Sequence, residues 1–528
     1  MKRFMNRIII RLIVSLILLF CSILFGQYTN IQVNYPGSID PQEVTIAINP
    51  ANPLNLAAGA NLDYYYYSKD GGLTWTEGRL ISTFGVYGDP SVTFDHLGNL
   101  YFGHLSNTPF GYWIDRIVIQ KSTNGGETWS AGAGIGFNPP RVQDKEWLIA
   151  DHTDSPYRGN IYVSWTEFDG YKSYSTEDST RIRLSRSTDQ GGTWSVPVRL
   201  SDHGGDCLDG DNTVEGAVPA VGPNGEVYVA WSGPLGIMFD KSTDGGVTFG
   251  KDIYVGPHPG GWNIFVWGLN RCNGLPITAC DISDSPYRGN IYVLWSDQRN
   301  GALDTDVFII KSTDGGETWG DERRVNNDNT EKHQFFPWIS VDPITGVIWV
   351  IFYDRRDTVG EATDVTVARS TDGGDTFTNF KVSESSFTPV FSVFFGDYIN
   401  IAAYDGKIYP IWGRMENYEL SVWTALIEDT ISVHVAEDRI ARTFQLAQNY
   451  PNPFNGVTHI TYSLQQPSNV HLAVYNSTGQ LIETLEDDYQ SAGSHSVVWN
   501  PDGLSSGIYY YQIRTEKQSA IRKCLYLK

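Results

Sequence analysis

The 528-residue chain has only five cysteines, no C-x-x-C pair, and 38 basic residues against 60 acidic ones. Each scarcity excludes something. Without C-x-x-C pairs there is no structural zinc site of the usual spacing. Phosphate-backbone binding needs clustered Lys and Arg, so nucleic acid is excluded as a partner. The formal charge of −22 suits an exported protein kept in solution, with cation binding as the other reading. HExxH, a phosphate loop and a nucleophile elbow between strand and helix are also missing. No apolar run reaches the roughly 20 residues that a bilayer span needs. The longest, Leu12 to Phe25, is broken by Ser15, Cys21 and Ser22 and follows Lys2, Arg3, Arg7 and Arg11. Residues 1–26 therefore read as a secretory signal, cut near Gly26-Gln27, after which no membrane span remains. An uncleaved N-terminal anchor is the alternative. Export places Cys207, Cys272, Cys280 and Cys524 in an oxidising compartment, which leaves a Cys272–Cys280 or Cys207–Cys272 bridge open.

What is present is aromatic and glycine-rich: 13% Phe, Trp and Tyr, with 53 glycines. Aromatics favour strands and glycine favours tight turns, so an all-β fold is expected. Six octapeptides recur: Ser68–Trp75, Ser122–Trp129, Ser187–Trp194, Ser242–Phe249, Ser312–Trp319 and Ser370–Phe377. They share S-x-D-x-G-x-T-W, with Asn124 for Asp and Phe249 and Phe377 for Trp. In a hairpin loop the acid side chain bonds backbone N–H groups of its own turn, while glycine supplies positive φ. The motif resembles the Asp box (BNR repeat) of sialidase-like β-propellers. That resemblance implies that Asp70, Asn124, Asp189, Asp244, Asp314 and Asp372 are structural, joining the third and fourth strands of a blade away from any active site.

A second repeat lies between the boxes, each copy an apolar strand, a turn and an aromatic-rich strand. It begins at Glu43, Pro90, Trp147, Pro219, Pro276, Pro337 and Tyr398, with DSPYRGNIYV occurring twice. Seven strand pairs, six of them followed by a box, predict seven blades over residues 30–435, with six blades as the alternative.

From residue 443 to 528 the pattern changes. Asn449-Tyr450-Pro451-Asn452-Pro453-Phe454-Asn455, Gly479-Gln480, Gly493, Gly507-Ile508-Tyr509 and the closing Leu527-Lys528 appear in order. This stretch resembles the type A C-terminal sorting domain of the type IX secretion system. The resemblance implies a small immunoglobulin-like β-sandwich, engagement of that export machinery, and release or attachment at the outer cell surface.

In a propeller the innermost strands begin at the mouth of the central tunnel. Those starts carry Asp89, Asp144, Glu146, Glu215, Arg271, His333, Gln334 and Asp397, which either converge on a ligand or cap strand ends. Arg299, Arg355, Arg356 and Arg414 follow the second strands, as ligand groups or as ion-pair partners between blades. Sialidases hold a substrate carboxylate with three arginines, and bidentate pairing explains that choice. Here Glu215 stands nearest to the family's glutamate, with Asp89 and Arg271 as further catalytic candidates. Asp144, Glu146, Gln334, Asp397, Arg299 and Arg355 are candidates for binding. The family's Phe-Arg-Ile-Pro signature is missing, its place taken by EVTIAINP from Glu43. Paired carboxylates among Asp89, Glu146, Glu215 and Asp397 suit a glycosidase of another kind. No cofactor is expected. Asp206, Asp209, Asp211 and Asn212 read either as a Ca²⁺ site or as a solvated acidic loop, without EF-hand spacing.

Two functions stay open on sequence. One is an exported sialidase-like propeller that acts on or binds extracellular glycan or glycoprotein. The other is a non-catalytic adhesin or protein-binding propeller at the cell surface.

Overall fold

The computed structural model describes residues 28–108, 111, 113–429 and 444–528, except 450, 465, 491, 492, 502 and 516. The signal segment lies outside the described residues. Among those described there is no helix. The chain divides into one unit ending at Glu428 and another beginning at Asp429.

The first unit is a seven-bladed propeller. Blade 1 is built from Thr45–Ile48, Leu56–Ala60, Tyr64–Ser68 and Thr76–Arg79, each strand antiparallel to the next. The innermost strands of blades 2 to 7 are Ser91–Phe94, Val142–Ala150, Glu215–Val221, Ile277–Cys280, Gln334–Val341 and Asn400–Tyr404. Each packs on the next, and the last packs back on Thr45–Ile48, so the ring closes. Second strands such as Ile161–Phe168 and Ile291–Asp297 are buried along their whole length, because neighbouring blades cover both faces. Trp165, Trp231 and Trp295 fill equivalent positions there.

Closure also accounts for seven strand pairs and only six boxes. The outer strand of blade 7 is Asn30–Gln32, from the start of the propeller, paired with Trp423–Ala425. Third and fourth strands of that blade are not consecutive in the chain, so no turn exists there to carry a box.

The boxes themselves are small hydrogen-bonded knots. In blade 4, Ser242 Oγ donates to Asp244 Oδ1 (2.7 Å) and accepts from Gly246 N–H (2.9 Å). Thr248 donates its N–H and hydroxyl to the two oxygens of Asp244, at 3.0 and 2.6 Å. Asp70, Asp189, Asp314 and Asp372 repeat this pattern, and Asn124 reverses one bond by donating to Thr128. Hydrogen bonds from the Thr193 backbone and hydroxyl hold Asp189 down at about 2. The second box glycine lies flat on the preceding blade. A Cβ on Gly316 would stand 2.5 Å from Phe239, and one on Gly72 would stand 3.3 Å from Tyr409 of blade 7. Because Ser242 is buried, Ser242→Ala strands the Gly246 N–H without a partner. We expect a loss of about 1–2 kcal/mol in the propeller's urea unfolding, and a loss under a few tenths would contradict this account of the box.

Cys207, Cys272, Cys280 and Cys524 are all buried and unpaired, so neither expected bridge forms. Cys272 sits in a hairpin before blade 5, whereas Cys280 ends that blade's innermost strand, which carries the two thiols apart.

The second unit is a sandwich of two antiparallel sheets. One joins Gln445–Leu446, Thr458–Leu464 and Gly493–Trp499, and the other joins Leu481–Gln490, Ser468–Asn476, Gly507–Arg514 and Ser519–Tyr526. Phe454, from the Pro-Asn-Pro segment, packs its ring 5.6 Å from Trp499 and 5.4 Å from Tyr526.

Candidate functional site

Strand polarity decides which end of the propeller carries chemistry. In a four-stranded antiparallel blade the start of strand one lies at the opposite end from the turn between strands three and four. The boxes therefore occupy one face and the candidate residues the other.

The innermost strands begin irregularly. Register slips by one residue between Asp144 and Trp147, between Glu215 and Val218, and between Phe335 and Trp338. Such bulges bend a strand and re-aim its side chains. Glu43, Asp89, Lys145 and Phe336 all take positive φ, between 49° and 55°. Non-glycine residues seldom adopt this conformation, and where it recurs it often marks a functional constraint. Three of the four bring a charge to the same mouth.

At its centre is an ion network. Lys145 Nζ lies 2.6 Å from Asp397 and 3.7 Å from Asp89. Arg271 Nε donates to Asp397 Oδ1 at 2.8 Å, its Nη2 pairs with Asp397 Oδ2, and its Nη1 stands 3.8 Å from Asp209. Asn273 donates to the Asp397 carbonyl at 3.0 Å. Asn61 donates to Glu43 and accepts from the Asp89 N–H. Burial alone would raise Asp397, but Lys145 and Arg271 outweigh it and hold the group well below the usual carboxylate range.

The other acids move the opposite way. Burial, then the Asp89 charge, pushes Asp144 up to about 8. Glu43 and Glu146 rise for the same two reasons. Glu215 rises through burial and the charges of Asp209 and Asp144. Neither Glu146 nor Glu215 has a hydrogen-bond partner for either carboxylate oxygen. The mouth thus holds one carboxylate fixed in its charged form beside others that favour the proton.

A cavity of about 470 Å³ opens here, lined among others by Glu43, Asp89, Asp144, Lys145 and Arg271. Its wall includes Tyr87, Trp113 and Tyr171, stacked edge to face with ring centres 5.4 and 5.2 Å apart. Tyr171 donates to Asp209 at 2.9 Å. A second, much smaller cavity of about 50 Å³, lined by Glu146, Trp147, Trp338 and Tyr398, shares Asp89 and Lys145 with it.

Of the sequence candidates, Asp89, Asp144, Glu146, Arg271 and Asp397 line these cavities, and Glu215 is buried beside Asp144 and Asp209. Three others lie elsewhere. Gln334 donates to Asp354 and accepts from Asn326, inside a polar knot between blades. Arg299 is claimed by Asp297 (2.6 Å) and Glu322 and lies 3.9 Å over Phe308. Arg355 donates to Thr363 and to the Trp267 carbonyl, stacked over Phe335. Each group is already taken by partners within the protein. Glu43, Asn61, Lys145, Tyr171 and Asn273 are additions from the structure, and Asp209, expected in a Ca²⁺ site or a solvated loop, joins them at the mouth.

Asp206 accepts from Leu208 and Thr213, Asp209 from Tyr171, and Asp211 from Asn263, so the three carboxylates take separate partners. Among the described residues no three His, Cys, Asp or Glu side chains gather as a metal ion requires.

Residues 66–77 match the BNR/Asp-box repeat, and residues 448–526 match the secretion system C-terminal sorting domain. The class is thereby defined: an Asp-box β-propeller protein with a sorting domain at its end. More particularly, it is a type IX secretion cargo, exported to the cell surface or extracellular space and engaging that machinery through its last 80 or so residues. No curated protein matches the chain. Among solved structures, it is similar to the Hadza microbial sialidase Hz136 (14% identity, 72% of this chain and 75% of that one, TM-score 0.42). It is also similar to the α-L-arabinofuranosidase Arb93A of Fusarium graminearum (11%, 76% and 98%, 0.43). A third is an ulvan lyase (12%, 77% and 99%, 0.44).

Proposed function

We propose that this exported propeller binds uncharged extracellular glycan in its mouth and cleaves a glycosidic bond there. What carries the reading is the convergence of carboxyl groups from five blades on one mouth, where Glu43, Asp89 and Asp144 line a cavity together with two cations and three aromatic rings. Aromatic faces receive the C–H faces of sugars, and the surrounding polar groups fix orientation. Asp144 holds a proton at neutral pH and is the acid that delivers it to the leaving oxygen. Asp89, steadied by Lys145, supplies the opposing carboxylate.

The choice of an uncharged sugar follows from the cations. Lys145 and Arg271 are both spent on Asp397, so no free guanidinium waits for a substrate carboxylate. Arg299 and Arg355, which would complete an arginine trio, are bound elsewhere.

The test is hydrolysis of a panel of aryl glycosides, neutral sugars beside a sialoside. Asp144→Asn and Asp89→Asn should each lower kcat about 100-fold or more on the best neutral substrate. A sialoside preferred over every neutral sugar, or turnover indifferent to Asp144→Asn, would overturn the reading. Glycan-array binding without turnover would leave a surface adhesin.

A further inference from the structure

Beside the mouth, on the same face, the loop before blade 5 exposes an aromatic pair that nothing in the fold requires. Ile264, Val266 and Leu269 turn into the core, so the alternation throws Phe265 and Trp267 outward, 50% and 56% exposed. Their rings meet edge to face at 5.0 Å. Burying either ring would be worth kilocalories, so leaving both in water is a cost that marks a contact surface.

The pair is held in place. Gln298 donates to the Phe265 carbonyl at 2.7 Å and to the Ala302 carbonyl at 3.2 Å. The buried Arg355 donates to the Trp267 carbonyl at 2.7 Å. Gly268, at φ +84°, is wedged so tightly that a Cβ would lie 2.9 Å from Glu361 and 3.2 Å from the Pro389 carbonyl. These contacts reach Ala302, Glu361 and Pro389, each within two residues of an exposed apolar side chain: Leu303, Val359 and Phe391. The buried arginine, spent on a backbone carbonyl rather than a carboxylate, positions this loop.

Continuity with the mouth says what lies on the patch. Trp267 precedes Arg271 by four residues, at most roughly 14 Å of chain. Arg271 in turn stacks 5.2 Å from Phe394, three residues beyond Phe391. A chain of several linked sugars anchored at Asp144 and beside Arg271 is long enough to reach Trp267.

We infer that Phe265, Trp267 and Phe391 form a distal sugar platform, so that the ligand is a polymeric glycan gripped at several units rather than a terminal sugar. The inference rests on the mouth being the glycan site. Rigid rings on a preformed loop lose little entropy on binding, which suits such a platform.

The experiment measures binding of neutral oligosaccharide ladders (gluco-, xylo-, manno- and arabino-, disaccharide to octasaccharide) to the exported protein by calorimetry. On the ladder that binds, affinity should rise with length. Trp267→Ala should weaken the longest member about tenfold while leaving the shortest unchanged. Phe391→Ser, which leaves the loop intact, should act in the same direction, so a folding defect in one variant does not hide the answer. Affinity independent of length, or equal weakening at every length, overturns the platform and leaves the mouth reading standing. Binding of no ladder overturns both. A protein captured on the patch whose binding is lost in Trp267→Ala, with oligosaccharide affinity unchanged, overturns the platform alone.

Discussion

Lys145→Met should destabilise the propeller by about 3–5 kcal/mol at pH 7, the largest single-residue effect expected in this chain. Methionine fills nearly the same volume, so the loss is electrostatic. Asp397 would keep only Arg271, Asp89 would lose its cation at 3.7 Å, and both carboxylates lie in a desolvated mouth. Breaking a buried pair costs far more than the pair contributes, because an unpaired charge remains behind. Urea unfolding followed by tryptophan fluorescence measures it, since the buried tryptophans other than Trp499 lie within the propeller. In the double variant Lys145→Met/Asp89→Asn the second change removes the charge left without a cation, so the two losses should fall well short of adding. Full additivity, or a single-variant loss under 1 kcal/mol, would show that Lys145 is a solvated side chain and that the mouth is not electrostatically coupled.

The ring was legible in the sequence because it is written seven times. The boxes recur with nearly constant chemistry, and DSPYRGN at two equivalent turns ties the intervening strands to the same frame. The closing strand was not legible: Asn30–Gln32 is three residues without period, and only its pairing with Trp423–Ala425 defines it. The mouth was legible as far as strand starts reach, which found Asp89, Asp144, Glu146, Glu215 and Asp397. Lys145 stands between two of these acids, where a lysine in sequence reads as solvated. Its positive φ, which turns it inward, leaves no trace in sequence. Asn61, Tyr171 and Asp209 come from connections that do not repeat. Arg299 and Arg355 illustrate the converse. Both follow strand ends that also carry an acid, Asp297 or Asp354, and the recurrence that singled them out belongs to interstrand packing rather than to a ligand.

Stability should fall as pH rises from about 6.5 to 8, against the habit of acidic proteins. Asp144 keeps its proton up to about 8 in the folded chain but releases it near 4 when unfolded. Between those limits the folded state binds the extra proton, so each step up in pH favours unfolding. Glu43, Glu146 and Glu215 shift in the same direction. Below about 6.5 an opposing set takes over. Burial lowers His104, His152 and His333 to about 4, so acid favours the unfolded chain, in which they can charge. The two sets oppose each other between about 4.5 and 6.5, which flattens the dependence there, and only the acids act above that window. Asp144→Asn removes one of them. Relative to the parent chain, the variant should gain roughly 2 kcal/mol between pH 6.5 and 8, although it has lost its proton donor. A functional mouth is commonly bought with stability in this way. Urea midpoints across that pH range, for parent and variant, decide the matter. Parallel curves would mean that Asp144 is ionised in the folded protein, and the proton it is assigned to deliver would not be there.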